Sequence, residues 1–197
     1  MYAGVIAVQG DVAEHAAAVE RAAAAHDEPA EVVEVRDSGI VPDCDVLLMP
    51  GGESTTISRL IHQEGIAAEI RAHVAAGKPV LATCAGLIVC SRDAKDDRVE
   101  PLSVVDVTVD RNAFGRQKDS FEADVPITGL DEPFHTVFIR APAIDDVGDG
   151  VETLATVDGR PVAVRDGPVV ATAFHPELTH DSRMHDLAFF PDREVVV

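Results

Sequence analysis

Pro79-Val80-Leu81-Ala82-Thr83-Cys84-Ala85-Gly86 changes character at its cysteine. The residues before Cys84 form a short apolar run of the kind that fills a strand covered on both faces, and the small residues after it open a short helix. A buried strand that feeds at once into a helix belongs to a parallel sheet, whose neighbouring strands need a crossover to bring the chain back. The same alternation extends upstream. Val5-Ile6-Ala7-Val8 is another buried-strand run, and Val12, Ala16, Val19 and Ala23 follow at helical spacing, with Glu14, Glu20 and Arg21 on other faces. Residues 31–35 read as a second strand, and Val46-Leu47-Leu48-Met49 as a third, broken by Pro50-Gly51-Gly52. A helical pattern then runs from about Thr55 to Ala76, interrupted near Gly65, with Ser54 or Thr55 as the expected N-cap. The pattern predicts an α/β fold: a mostly parallel central sheet with helices on both faces.

The second half predicts added antiparallel strands. Residues 104–109, 121–125, 136–140, 151–157 and 161–164 are short, strand-like and divided by turn residues, and Asp158-Gly159 is a hairpin signal. A last apolar strand, 169–174, leads into His175, and residues 181–190 can form a closing helix. With 197 residues, no repeat and no linker, the chain reads as one domain, 1–197.

Composition narrows the function. The 35 acidic and 16 basic residues give a formal net charge of -19, with only three lysines. Phosphate backbones need a basic footprint, so nucleic acid is not an expected partner. The acids are spread along the chain, which fits a whole surface adapted to high salt better than a docking patch for a cationic partner. No apolar run approaches the ~20 residues of a membrane helix, and the start resembles no secretory leader. Cys44, Cys84 and Cys90 form neither a disulfide framework nor a CxxC pair. The expectation is a soluble cytoplasmic protein.

Cys84 stands where a sharp strand-to-helix turn lifts a side chain above the carboxyl edge of the sheet, the setting of a nucleophile elbow. The helix N–H groups there favour the thiolate, whose free pKa is near 8.5. The alternative for any one cysteine is a small buried hydrophobe, and Cys44 and Cys90 are assigned that role. His175-Pro176-Glu177 follows the last strand, and carboxyl ends of parallel strands line one edge, so His175 can reach Cys84. There it can take the thiol proton and return it to a leaving group, while Glu177 fixes the ring. Taken alone, the pair reads as a loop histidine beside a surface glutamate. Glycines in Pro50-Gly51-Gly52-Glu53-Ser54 let backbone N–H groups point into a cleft, as an oxyanion hole requires, although most such turns merely reverse the chain. Gly52, with Ala85 after the nucleophile, is the expected donor. His175, His180 and His185 lie five apart, which is wrong for helical zinc ligation, so no metal is expected.

Together these residues make the chain similar to the class I (triad) glutamine amidotransferases, of flavodoxin-like fold, and within them to the glutaminase subunits of pyridoxal 5′-phosphate synthase. The likeness runs through Gly4–Gly10 and Glu14-His15, Pro50–Thr55, Thr83–Ile88, Arg111–Gln117, Phe138–Pro142 and Phe174–Leu178. A cysteine elbow with a late His-x-Glu marks only the superfamily; Arg111–Gln117 and Phe138–Pro142 discriminate within it. The resemblance implies Cys84 as nucleophile with His175 and Glu177 as its relay. It places Gly51, Gly52, Glu53, Arg111, Ile139 and Arg140 around the substrate L-glutamine. A charged, bidentate donor suits an α-carboxylate, which agrees with the arginines. Asp11 and Ala82 depart from residues common in the family, and Asp11 lies in a segment the family uses near its partner.

The implied activity is hydrolysis of glutamine to glutamate and ammonia, delivered to a ring-building synthase subunit without a cofactor on this chain. Two other readings are a glutaminase serving the histidine or purine pathway and a catalytically silent partner-binding relative. Arg111–Gln117 argues against the first, and joint retention of Cys84, His175 and Glu177 against the second.

Overall fold

The computed structural model describes residues 1–111 and 120–190. Its first half alternates strand and helix: β1 (Tyr2–Ile6), α1 (Val12–Ala25), β2 (Glu31–Val35), β3 (Val46–Met49), α2 (Ser54–Gln63), α3 (Ile66–Ala75), β4 (Val80–Thr83) and α4 (Ala85–Cys90). Then come β5 (Ser91–Asp93), β6 (Val105–Asp110), β7 (Phe121–Val125), β8 (Phe134–Phe138), β9 (Ala143–Val147), β10 (Glu152–Val157), β11 (Arg160–Asp166), β12 (Val169–Thr172) and α5 (Arg183–Phe189).

The main sheet has the order β10-β11-β12-β4-β3-β1-β2. From β12 to β2 all neighbours run parallel, while β10-β11-β12 is an antiparallel meander added at one end. Every residue of β3, β4 and β12 is buried, as expected of strands with neighbours on both sides and cover on both faces. Each fully buried Leu or Val in them contributes about 1.5–3 kcal/mol through removal from water. At the far edge, β2 keeps Glu31 and Glu34 exposed, and such charges discourage another strand from adding there. Two smaller assemblies, β5-β6-β9 and β7-β8, pack on this frame and share its apolar core.

Local signals acted as expected at two turns. Gly65 has φ +76° and separates α2 from α3. Asp158 and Gly159 both have positive φ, 51° and 75°, the primed turn geometry that matches the twist of the β10–β11 hairpin.

Elsewhere the structure corrects the sequence reading. Neither Ser54 nor Thr55 is an N-cap: Ser54 is the first residue of α2, and Glu53 occupies the cap position in extended conformation. The buried face of α1 is His15, Ala18, Val19, Ala22 and Ala23, rotated from the expected Val12–Ala16–Val19–Ala23 stripe towards a histidine. β5 and β9 had no counterpart in the sequence reading. β9 does not alternate, because its exposed Asp145 and Asp146 face Lys95 and Arg92 at 2.6 and 2.7 Å. No helix among the described residues is long and apolar enough to cross a membrane.

Candidate active site

The carboxyl end of β4 delivers Cys84 into a conformation that side chains rarely adopt, φ 48° and ψ −102°. A non-glycine residue there costs of order 1–3 kcal/mol and persists only when its surroundings fix it. They do so here: the Cys84 N–H donates to the Thr172 carbonyl at the end of β12, 2.8 Å away. Beyond it, a Cβ at Gly86 would run into the backbone carbonyl of Met49, so α4 can leave the elbow at this angle only with a glycine. Cys84 is 8% exposed, and its thiol lies 3.9 Å from the Ile139 carbonyl.

The backbone N–H of His175 donates to Val137, which seats the residue beyond β12 between β8 and the elbow. Its Nδ1 lies 2.6 Å from Glu177 Oε1, and the ring also interacts with the Cys84 thiol. Glu177 occupies a single 3-10 turn, Pro176–Leu178, and is buried. A carboxylate only accepts, so Nδ1 carries the proton in this bond and Nε2 is left for chemistry.

Electrostatics follow from this arrangement. Burial alone would favour the neutral ring, but Cys84 and Glu177 outweigh it and push His175 up to about 10. Burial likewise disfavours the Glu177 anion, yet His15 and His175 hold it well below the usual carboxylate range. A protonated imidazole beside the thiol is placed to pass its proton to a leaving group.

Gly51 and Gly52 form the opposite wall. A Cβ on Gly51 would press on His175 Cε1 and on Asp11 Oδ2, at 2.5 and 3.1 Å. Gly52 has φ +141°, and a side chain there would meet the Gln9 amide oxygen. That oxygen accepts the Glu53 N–H at 2.8 Å. Gly10, at φ +115°, packs so closely on the Gly51 carbonyl that no Cβ fits. A trans peptide holds its N–H opposite its C=O, so this contact fixes which way the Gly52 N–H faces. Ala85, the other expected donor, is the first residue of α4, and its N–H therefore has no partner within the helix.

Arg111 follows β6, its side chain 13% exposed, with Nη1 3.3 Å from Asp96 and Nη2 3.7 Å from Glu53. Asp96 is already held by Arg98 through bonds of 2.9 and 2.7 Å. Arg111 Nη1 makes no hydrogen bond among the described residues. Residues 112–119, which carry most of the discriminating Arg111–Gln117 segment, lie outside the described part. Arg140 has φ 45°, and its side chain lines a cavity of about 410 Å³ with Phe121, Phe138, Pro142 and Val157. Neither Cys84 nor His175 borders that cavity, and what this segment presents to the thiol is the Ile139 carbonyl.

Three side chains could bracket a cation: Asp11, His175 and Glu177 offer ligand atoms within 4.8 Å of one another. The ring atom involved is the Nδ1 that already donates to Glu177, so a metal would displace the bond that orients the ring. His180 and His185 do not join this group: His185 is fully buried elsewhere, held neutral by burial that pushes it down to about 3, and His180 is exposed.

Two contributors, Gln9 and His15, were expected only on the edge that meets the partner, with no place in the site itself. The available signal was His15 itself, a polar residue at helical spacing on an apolar face.

The model of the SNO glutamine amidotransferase family matches residues 5–194. A relative from Halorubrum lacusprofundi, "Pyridoxal 5'-phosphate synthase subunit PdxT", is 86% identical over 196 residues, covering 100% of both chains. A protein of the same description from Haloarcula marismortui is 73% identical, covering 98% of each chain. Among solved structures, a crystal structure of a glutamine amidotransferase superposes with TM-score 0.83 at 43% identity, covering 94% of this chain and 96% of that one.

Proposed function

The chain belongs to the SNO glutamine amidotransferase family, and on that premise we propose that it is the glutaminase subunit of a pyridoxal 5′-phosphate synthase, acting as one domain over its length. The observation that carries the reading is the convergence of Cys84, His175 and Glu177 beside the Gly51-Gly52 turn. Relatives of 86% and 73% identity that bear that synthase's description give the choice of partner.

The Cys84 thiolate attacks the side-chain amide carbon of glutamine, which is held by Gly51, Gly52, Glu53, Arg111 and the backbone at Ile139, with Arg140 following it in the chain. Negative charge on the tetrahedral oxygen is met by the N–H groups of Gly52 and Ala85. One such donor is worth ~2.7–4 kcal/mol in the transition state. His175 protonates the nitrogen, ammonia leaves, and a γ-glutamyl thioester remains. His175 then takes a proton from water, which attacks the thioester, releases glutamate and restores the thiolate beside the protonated imidazole. Ammonia passes to the synthase subunit, which builds the pyridine ring from a pentose phosphate and a triose phosphate. Transfer inside a complex prevents its loss to bulk water.

The contacts of residues 9–10 with the oxyanion turn support control of this reaction by a partner docked at residues 9–15. Gln9 and Gly10 touch the Glu53 N–H and the Gly51 carbonyl, so a partner seated there can reset the Gly51–Gly52 peptide. The purified chain is expected to turn over slowly and to speed up at least tenfold with the synthase subunit, about 1.4 kcal/mol of barrier. Ammonia release measured with and without that subunit is the test, and full activity alone, indifferent to it, would refute the gating.

The net charge of -19 is an adaptation to concentrated salt, and relatives from Halorubrum and Haloarcula support that reading. Screening shortens the reach of like-charge repulsion to ~3 Å at 1 M salt. Thermal melts should rise between low and molar potassium chloride, by about 2–4 °C per kcal/mol relieved. A flat or falling series would point to a cationic partner instead. Three free, buried thiols suit the reducing cytoplasm.

A further inference from the structure

We propose that His15 is a positioning residue of this site, tying the Glu177 carboxylate to the Thr83 hydroxyl beside the nucleophile and so letting the first turn of α1 set the triad. The inference rests on the glutaminase reading above.

His15 is completely buried, and a buried imidazole is costly unless its polar atoms are paired. Its Nε2 lies 3.1 Å from Thr83 Oγ1 and 3.5 Å from Glu177 Oε1, while Nδ1 has no hydrogen bond among the described residues. Both partners adjoin the chemistry. Thr83 precedes Cys84, and Glu177 orients His175. Because a carboxylate only accepts, these partners assign the proton to Nε2, from which one N–H is shared between the hydroxyl and the carboxylate.

Glu177 needs such a second hold. Oε1 accepts the His175 bond at 2.6 Å, and Oε2 has no hydrogen bond among the described residues. With one donor, the carboxylate could swing about that bond and carry the imidazole with it. A second partner from a different element, drawn to the same Oε1, fixes where that oxygen stands and so where the imidazole is held, as outer partners fix the ligands of metal sites. The helix is fastened to the same turn further along, where Arg21 Nη2 donates to the Thr179 carbonyl at 3.0 Å. Besides Glu177, the titratable group that acts electrostatically on His15 is His185, which also faces Glu177, Arg21 and Asp181. His185 stays uncharged at neutral pH, so it does not compete for Glu177.

The position of His15 gives this bond a consequence. Gln9 and Gly10 contact the oxyanion turn, and the same segment continues into α1, where His15 contacts the triad. A synthase seated on residues 9–15 therefore acts on the oxyanion donor and on Glu177 through one piece of backbone.

The test uses the full chain with its synthase subunit and compares His15→Gln with His15→Asn and His15→Leu. The Gln amide nitrogen reaches close to the place of Nε2, while the Asn amide falls short. His15→Asn and His15→Leu should each lose about 10- to 100-fold in kcat, the effect of a misplacement near 1 Å, with KM within about twofold. His15→Gln should stay within about threefold of wild type. If His15→Leu does not fold, the Asn–Gln pair carries the comparison. Undiminished kcat in His15→Asn, or equal losses in Asn and Gln, would overturn the role, the latter by showing that His15 only fills space. A wild-type pair that releases no ammonia would overturn the glutaminase reading and this role with it, whereas an active pair with an undiminished His15→Asn overturns the role alone.

Discussion

Replacing Cys84 with alanine leaves a folded chain that still binds its synthase subunit and releases no ammonia from glutamine. The substitution removes the atom that forms the thioester, and the oxyanion donors then have no tetrahedral adduct to stabilise. Loss of a covalent nucleophile costs on the order of 10⁶-fold in kcat where it has been isolated, far more than any positioning effect. The fold should tolerate the change. Alanine is smaller than cysteine, and the elbow is held by the main-chain bond from residue 84 to Thr172, which alanine keeps. Cys44→Ala and Cys90→Ala are the controls. Burial pushes Cys44 up to about 11, with Lys78 opposing only in part, and Cys90 up to about 12, so both are neutral thiols at working pH. Each control should keep most of its activity and lose about 1 kcal/mol of stability or somewhat more through the lost packing. Ammonia release measured with the partner present decides the matter. A Cys84→Ala chain that kept even a hundredth of wild-type activity would rule out the thioester route.

The second large effect is expected at Arg111. Its guanidinium sits near Glu53 and Asp96, but Arg98 already holds Asp96 by the shorter bonds, and Nη1 has no hydrogen bond among the described residues. A cation held part-buried with unused donors is ready for an incoming carboxylate, and the α-carboxylate of glutamine supplies one. Arg111→Ala should raise KM or abolish turnover, with a loss in kcat/KM of about 2–5 kcal/mol for a desolvated charge pair. Arg111→Lys should restore it poorly, because an ammonium cannot offer two parallel donors. Steady-state kinetics over a wide glutamine range is the measurement, and an unchanged kcat/KM would place the carboxylate elsewhere. Arg140→Ala should be milder than Arg111→Ala, because Arg140 lines a cavity that neither Cys84 nor His175 borders.

Signals carried by adjacent residues were legible in the sequence. Strand followed by Cys84 and small residues gave the elbow, Gly65 gave the helix break, and Asp158-Gly159 gave the hairpin, since each depends on local backbone preference. Features that need two distant segments were not. β9 pairs with β6 although its aspartates spoil any alternation, because their charges are met by Lys95 and Arg92 from another stretch of chain. The N-cap of α2 went to Glu53 over Ser54 because the Gln9 side chain holds the Glu53 N–H and fixes where the helix starts. His15 was placed on the docking edge but not in the site for the same reason, as Thr83 and Glu177 reach it only through the topology. The candidate triad could be named in advance because parallel strands bring their carboxyl ends to one edge, whichever way the intervening chain runs.

The insertion of β12 between β4 and β11 has a consequence for synthesis of the protein. β4 pairs on one side with β3, which is made just before it, and on the other with β12, which leaves the ribosome much later. Until then the nascent chain carries a bare hydrophobic strand edge at Val80–Thr83, the kind of surface that recruits chaperones or sticks to a neighbouring chain. Cys84 is no nucleophile in that interval. Thr172 has not yet fixed its strained backbone, and His175 does not exist to polarise it. A message truncated before codon 169 would therefore yield an aggregation-prone fragment that wastes no glutamine, and hydrolytic capacity arrives in a single late step.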